Sequence, residues 1–471
     1  MTIQKWRQSY HFPIGEGRGR TPRSRTPIFP YAHDAWRAAR YLIEAMLKIV
    51  RSSDAAFGEV MLALERRGEA DLSSVERVVR EVVEDVRARG DAAVLDACER
   101  FERRRPAPLL RTIDGAAALA RLERGAREAL ELAAARIDAF HRRQVDVGAR
   151  FSDGGATLGT RVRPLRRAGI YAPGGKARYP SSVLMAAIPA RVAGVREVIV
   201  ATPLSGDRAD DSILAAAHLA GVDRILDAGG AQAIAALAYG TASVPRVDIV
   251  VGPGNLYVAC AKRLVSGDVK IDGIAGPSEI LVVADESADP RLIAADLLSQ
   301  AEHDEAAYPL LLTTSASIAA RVGEELRAQL ATLPRRAIAT AALERQGVAL
   351  IVDDRRALAE HADRIAPEHL ALHVEDADAM LDEIPAAGAA FLGSNTPEAV
   401  GDYVAGPSHV LPTGGAVRFG SPLGVYDFIA RTSVVRYDAA TLAAQGPAIC
   451  ALARLEGLEA HARAVEARTK R

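Results

Sequence analysis

The stretch 198–251, VIVATPLSGDRADDSILAAAHLAGVDRILDAGGAQAIAALAYGTASVPRVDIVV, decides the fold. Its β-rich runs are Val198–Ala201, Arg224–Asp227 and Asp248–Val251, and between them lie Ala-rich helical runs at Asp211–Leu219 and Ala231–Tyr239. A βαβαβ rhythm of short apolar strands predicts a parallel sheet with helices on both faces. Downstream the rhythm returns, with strands expected at Ile280–Ala284, Leu310–Thr313, Ala349–Val352, Leu370–Val374 and Ala390–Leu392 and helices at Asp289–Ala301 and Ile318–Ala331. The expected fold is therefore α/β: two tandem, incomplete Rossmann-like domains with parallel sheets. No internal repeat is visible in the sequence itself.

Upstream, Val75, Val78, Val79, Val82, Val83 and Val86 recur at helical spacing, with Asp71, Ser73 and Ser74 as candidate caps and Gly90 as a stop. Ala- and Arg-rich helical sequence continues to about residue 145, so a helical N-terminal arm that takes no part in the chemistry is expected. After about residue 422 the β signal fades, and Thr441–Ala464 reads as helical. The expected divisions are 1–45, a disordered extension or a start placed too early with Met46 as the working start; 46–170, the arm and the start of the first α/β domain; 171–278, the first α/β domain; 279–422, the second; and 423–471, the helical tail.

Composition narrows the function. Lys and Arg number 59 against 60 Asp and Glu, for a net charge of −1. That balance lacks the basic footprint a nucleic-acid partner needs, and no polybasic patch or long apolar run points to a membrane. Hydrophobic residues at 49% predict a sizeable core. Cys98, Cys260 and Cys450 stand far apart and form no paired motif, which suits a reducing cytoplasm.

Glycine turns follow most of the strand candidates: Ala-Pro-Gly-Gly-Lys (172–176), Ala-Gly-Gly-Ala-Gln (228–232), Val-Gly-Pro-Gly-Asn (251–255) and Ala-Gly-Pro-Ser-Glu (275–279). Such turns let backbone approach a phosphate at the carboxyl ends of strands. Gly252-Pro-Gly-Asn-Leu-Tyr257 lacks the last glycine of a dinucleotide fingerprint, so plain strand-to-helix turns read equally well.

Four of the 10 histidines sit beside partners that suit chemistry: Ser-Gln-Ala-Glu-His (Gln300, His303), Pro-Glu-His (Glu368, His369), Gly-Asp-Tyr-x5-His (Asp402, His409) and Glu-Gly-Leu-Glu-Ala-His (Glu456, His461). Neutral imidazole binds metal and titrates near neutrality, and neighbouring carboxylates and amides complete a shell or act as bases. Each run alone also reads blandly, as a polar helix face, a strand start, a solvated loop or a helix tip. Jointly, two His, an Asp and a Gln make a zinc shell and leave Glu368 and His369 for proton transfer. The helix tip with His461 must dock on its own chain or on a partner.

The runs resemble those of the histidinol dehydrogenase family from about Met46 onward. They include Gly-Ile-Tyr-Ala-Pro-Gly-Gly-Lys (169–176), Gly-Gly-Ala-Gln-Ala-Ile-Ala-Ala-Leu-Ala-Tyr-Gly-Thr (229–241), Leu-Leu-Ser-Gln-Ala-Glu-His-Asp (297–304), Ala-Pro-Glu-His-Leu (366–370) and Ser-His-Val-Leu-Pro-Thr (408–413). Residues 1–45 have no counterpart there, and Ala186 stands where the family often has Asn. The resemblance implies a two-step oxidation of L-histidinol through L-histidinaldehyde to L-histidine with NAD as cofactor, in the last steps of histidine biosynthesis. It implies one zinc ion per subunit, held by Gln300, His303, Asp402 and His461, that positions substrate without redox chemistry. His369 would be the base for the alcohol proton and Glu368 the base that activates water. Substrate contacts would be Ser278, Gln300, His303, His369, Asp402, Glu456 and His461, and cofactor contacts Tyr171, Gln232 and Asn255. It also implies a homodimer with a domain-swapped C-terminal tail, in which Glu456 and His461 complete the partner's site. The alternative is a paralogous zinc- and NAD-dependent dehydrogenase of another small alcohol, and further off a catalytically silent binding protein.

Overall fold

Two sheets of identical strand order organise the chain. The structure, a computed structural model, describes residues 46–68, 72–174 and 178–469; the extension 1–45, the candidate cap Asp71 and the turn residues Gly175 and Lys176 lie outside them. In the first sheet the order is Leu110–Arg111, Arg224–Leu226, Glu197–Ala201, Arg167–Tyr171, Ile249–Val251, Lys270–Ile271. In the second it is Lys48–Arg51, Val348–Ile351, Tyr308–Thr313, Glu279–Ala284, His369–His373, Ala389–Leu392. Counted from its earliest α/β strand, each sheet runs 3-2-1-4-5, the dinucleotide-binding order without its sixth strand. Each then carries one strand from the N-terminal arm outside strand 3. The core strands are apolar runs buried on both faces, as Glu279–Ala284 is throughout, because helices cover both sides of a parallel sheet.

The expected α/β architecture with parallel sheets is thus found, with four differences in detail. Residues 46–170 are not only helical: Lys48–Arg51 is a parallel edge strand of the second sheet, paired with Val348–Ile351. Leu110–Arg111 is an antiparallel edge of the first sheet, which is therefore mixed. The β signal does not end at 422, since Ile429–Tyr437 pairs antiparallel with Ala156–Pro164, which pairs in turn with Arg150–Asp153. Arg150–Asp153 and Ile429–Tyr437 are largely exposed and Ala156–Pro164 is mostly half-buried, so no in–out alternation marks them in the sequence. The tail is two helices, Ala439–Leu455 and Glu459–Thr469, broken at Gly457, whose φ of +75° is a glycine conformation. The valine-rich arm helix runs Ser73–Arg89, buries Val75, Val79, Val83 and Val86, and stops at Gly90.

The faces of the second sheet matter for the site. On one, the helix Pro290–Ala301 packs Ile293 and Leu297 against Ile280, Val282 and Ala371. On the other, the arm helix Phe57–Glu65 packs Val60, Met61 and Leu64 with Leu281, Val283, Leu370 and Leu372. No helix among the described residues is long and apolar enough to cross a membrane.

In the first sheet the order reverses between Arg167–Tyr171 and Ile249–Val251. There Gly252, at φ +116°, lies so close to Tyr171 that a Cβ would stand 2.1 Å from its carbonyl oxygen. Gly252→Ala is expected to lower stability by roughly 2–5 kcal/mol, the sum of left-handed strain and overpacking. A urea midpoint shifted down at unchanged m value checks this; an unshifted midpoint contradicts it.

Candidate functional site

Glu368 and His369 stand where the chain enters the strand His369–His373, at the amino end of the second sheet. Their neighbour in register is the start of Glu279–Ala284, with Ile280 opposite His369. The Glu279 backbone serves both: its N–H donates to Glu368 Oε2 at 2.8 Å, and its carbonyl accepts from His369 Nδ1 at 2.8 Å. A carbonyl only accepts, so Nδ1 carries the proton and neutral His369 keeps its lone pair on Nε2. That nitrogen looks toward Glu398, whose Oε1 is 3.7 Å away. The second imidazole of the strand, His373, is bound on the same face to Asp296 Oδ2 at 2.9 Å.

The ligand candidates converge from two more elements. Asp402 lies on the short helix Ala399–Tyr403, and its Oδ2 is 4.0 Å from His303 Nε2. His409 donates from Nδ1 to the Asp402 carbonyl at 3.1 Å and sits 3.3 Å from Ser182 Oγ through Nε2. Gln300 ends the helix Pro290–Ala301, with His303 in the turn just beyond. Gln300 is fully buried, and neither its amide oxygen nor its nitrogen has a hydrogen-bond partner. Native interiors leave few groups so. An amide oxygen, an imidazole and a carboxylate make a donor set that fits a zinc-like divalent cation. His369, Glu398 and Asp402 also offer ligand atoms within 4.8 Å of one another.

Burial and charge set the proton affinities. Burial drives the Glu368 carboxyl well above its usual range, and the Glu279 charge adds to this. His369 is pulled down to about 4 by burial, against the attraction of Asp402. Glu398 is raised to about 8 by burial and by Asp402 beside it. Burial works against ionised Asp402 too, but His409, His369 and His303 outweigh it and hold the carboxyl near 2. The cluster thus keeps Asp402 as its anion.

Glu398 was not anticipated from the sequence. Its signal is spacing: it precedes Asp402 by four residues, one helical turn, so the two carboxyls share a face. It is buried, and Ser299 Oγ donates to its Oε2 at 3.1 Å.

The cofactor candidates gather at the carboxyl end of the first sheet. Tyr171 ends its strand, and its hydroxyl accepts from Gly230 N–H at 3.1 Å. Gln232, buried in the helix Gly230–Tyr239, donates from Nε2 to Glu102 Oε1 at 2.9 Å. Asn255 Oδ1 caps the helix Leu256–Val265, accepting from Tyr257 and Val258 N–H. Ser278 is half-buried at the entry to Glu279–Ala284. Glu456 and His461 are exposed on the tail, and among the described residues neither hydrogen-bonds to Gln300, His303, Glu368, His369 or Asp402. Leu452, Leu455 and Leu458 beside them are exposed as well.

Comparison with known proteins adds identity to this geometry. The family profile for histidinol dehydrogenase matches residues 65–469. A histidinol dehydrogenase of Syntrophotalea carbinolica is 51% identical over 429 residues, 90% of this chain and 100% of that one. One from Geobacter sulfurreducens is 49% identical over 88% of this chain and 98% of its own. The crystal structure of a histidinol dehydrogenase from Elizabethkingia anophelis, 34% identical, superposes with a TM-score of 0.85 over 90% of this chain and 98% of that chain.

The depressed His369 value gives a pH dependence. Unfolded, His369 takes a proton as pH falls through 6.5; folded, it resists to about 4. Its contribution to stability is present above 6.5 and is lost as pH falls through that window, by roughly 3 kcal/mol. His369→Gln has no such proton to bind, so its unfolding midpoint should fall less between pH 7 and pH 4. Parallel acid limbs in the two proteins would contradict a neutral, buried His369.

Proposed function

The chain belongs to the histidinol dehydrogenase family, and we propose that it oxidises L-histidinol to L-histidine through L-histidinaldehyde, passing one hydride to each of two NAD+. The observation that carries this reading is the His369 tautomer. Nδ1–H is committed to the Glu279 carbonyl, so Nε2 is the free base and takes the alcohol proton as hydride leaves the carbon. The aldehyde then needs water added before a second hydride can leave. Glu368, beside His369 and tied to the same backbone, is the base for that water.

Gln300, His303 and Asp402, with His461 from a second copy, would hold zinc. Bound there, the ion would fix the imidazole and amino nitrogens of the substrate. The buried, unpartnered Gln300 amide and the anionic Asp402 support this assignment. Ser278 and the second copy's Glu456 would contact substrate. For NAD the switch point of the first sheet supplies the remaining donors and acceptors: the Tyr171 hydroxyl proton, the Gln232 carbonyl and the Asn255 amide N–H groups, next to the Gly252 turn. Buried free Cys98, Cys260 and Cys450 fit a cytoplasmic enzyme.

Exposure supports an exchanged tail. His461 and Glu456 are exposed on the tail, and Leu452, at 62% exposed, and Leu455, at 83%, leave apolar surface that a second copy would cover.

Purified protein with L-histidinol and NAD+ is expected to form two NADH per histidinol, to lose activity to a chelator and to regain it with zinc. Turnover of another alcohol only would move the reading to a paralogous dehydrogenase. His369→Ala should lower kcat by roughly 10²–10⁴-fold with the fold intact, and a near-normal rate would remove His369 as the base. Mixing inactive His461→Ala with an inactive Glu368→Ala, His369→Ala protein should restore partial activity in hybrid dimers. No recovery after demonstrated subunit exchange would mean that the tail serves its own chain.

A further inference from the structure

Arg67 belongs to the N-terminal arm, yet its side chain is 1% exposed and reaches the far side of the catalytic strand. Nη1 donates to the carbonyls of Leu64 at 2.6 Å and Ile365 at 2.7 Å. Nη2 donates to Glu279 Oε2 at 2.6 Å and to the Ala366 carbonyl at 3.2 Å. Both groups it holds lead to the catalytic pair. Ile365 ends the helix Arg355–Ile365, and Ala366 follows at φ +48°, a left-handed conformation that a residue with a Cβ rarely adopts. Pro367, Glu368 and His369 come next. Strain of this kind persists only where surrounding contacts over-determine it.

Glu279 is the second point of attachment. Its Oε2 also accepts from Glu368 N–H at 3.3 Å, and its Oε1 from Gly414 N–H at 2.6 Å. Its backbone holds the Glu368 carboxyl and the His369 ring. One guanidinium therefore fixes both the turn that delivers Glu368 and His369 and the residue that orients them.

We propose that Arg67 is a positioning residue for the oxidation, setting the register of the Glu368 carboxyl and the His369 imidazole. The proposal rests on the reading of those two as the proton-transfer pair. Arg67 approaches on the face packed by Val60, Met61 and Leu64, whereas His369 shares the opposite face with Ala371 and His373. Its loss should therefore act on turnover and spare substrate binding. Lysine cannot replace it, because a single ammonium lacks the planar fork that spans a carboxylate and three carbonyls.

The test compares full-length parent, Arg67→Lys and the double variant Arg67→Met, Glu279→Gln, which leaves no unpaired buried charge. L-histidinol and L-histidinaldehyde are the substrates, with NAD+, and kcat is referred to folded protein by circular dichroism. For Arg67→Lys, kcat should fall roughly 10- to 100-fold on both substrates, with KM for histidinol and NAD+ held within about threefold. The double variant should fold with kcat equally low. A folded Arg67→Lys with parental kcat, a loss confined to KM, or failure of both variants to fold overturns the proposal. A parent that does not oxidise histidinol at all overturns the family activity instead, so the two failures are distinguishable.

Discussion

A carboxylate as deeply buried as that of Glu279, 1% exposed, requires partners on every side, because an unmatched charge in the interior is costly. Here the partners come from Arg67, Gly414 and Glu368, three segments far apart in sequence. The requirement to satisfy one charge thus draws the arm, the loop at Gly414 and the entry to the strand His369–His373 into one arrangement. With the side chain anchored, the backbone of the same residue donates to Glu368 and accepts from His369. That acceptor decides which imidazole nitrogen is basic. The chemistry proposed for the site depends on this placement, although Glu279 itself transfers no proton.

The two sheets share a strand order and use opposite ends. In the first, the glycine turns and Tyr171 cluster at the carboxyl end, where open parallel sheets bind ligands. In the second, Glu368 and His369 sit at the amino end, and the carboxyl end is occupied by structural bonds such as Asp285 with Glu375. Helix Pro180–Val192 begins beyond the first sheet's carboxyl edge, and its Ser182 touches His409, which holds Asp402. The carboxyl edge of the first sheet is thereby linked to Asp402 through Ser182 and His409.

Much of this was legible in the sequence where burial imposes periodicity. The apolar runs at 198–201, 249–251, 280–284 and 310–313 are strands because both their faces are covered. The exposed strand Ile429–Tyr437 and its partner Ala156–Pro164 escaped, since water on their faces erases the alternation and their pairing spans most of the chain. Lys48–Arg51 escaped for another reason: four residues at a sheet edge carry little pattern. Among site residues, Glu368, His369, Asp402 and His303 stood out by residue type. Glu398 and Arg67 did not, because a lone Glu and one Arg among many become informative only when their burial and partners are known. The shared strand order of the two halves is likewise invisible in a sequence without repeats, because topology is kept by connection and not by side chains.

Arg67 and Ile365 are 298 residues apart in the chain. Beside Arg67, Gly68 lies so close to Gly414 that a Cβ would stand 2.2 Å from its carbonyl oxygen. Contacts of this separation form late, after long stretches of chain have been ordered at an entropic cost. During synthesis the arm waits for nearly the whole polypeptide before it meets its partners, whereas the first sheet and its glycine turns are completed much earlier. A nascent or partly unfolded chain can thus possess a formed first sheet and still lack the contacts that order Glu368 and His369. Order around Glu368 and His369 is therefore coupled to completion of the fold.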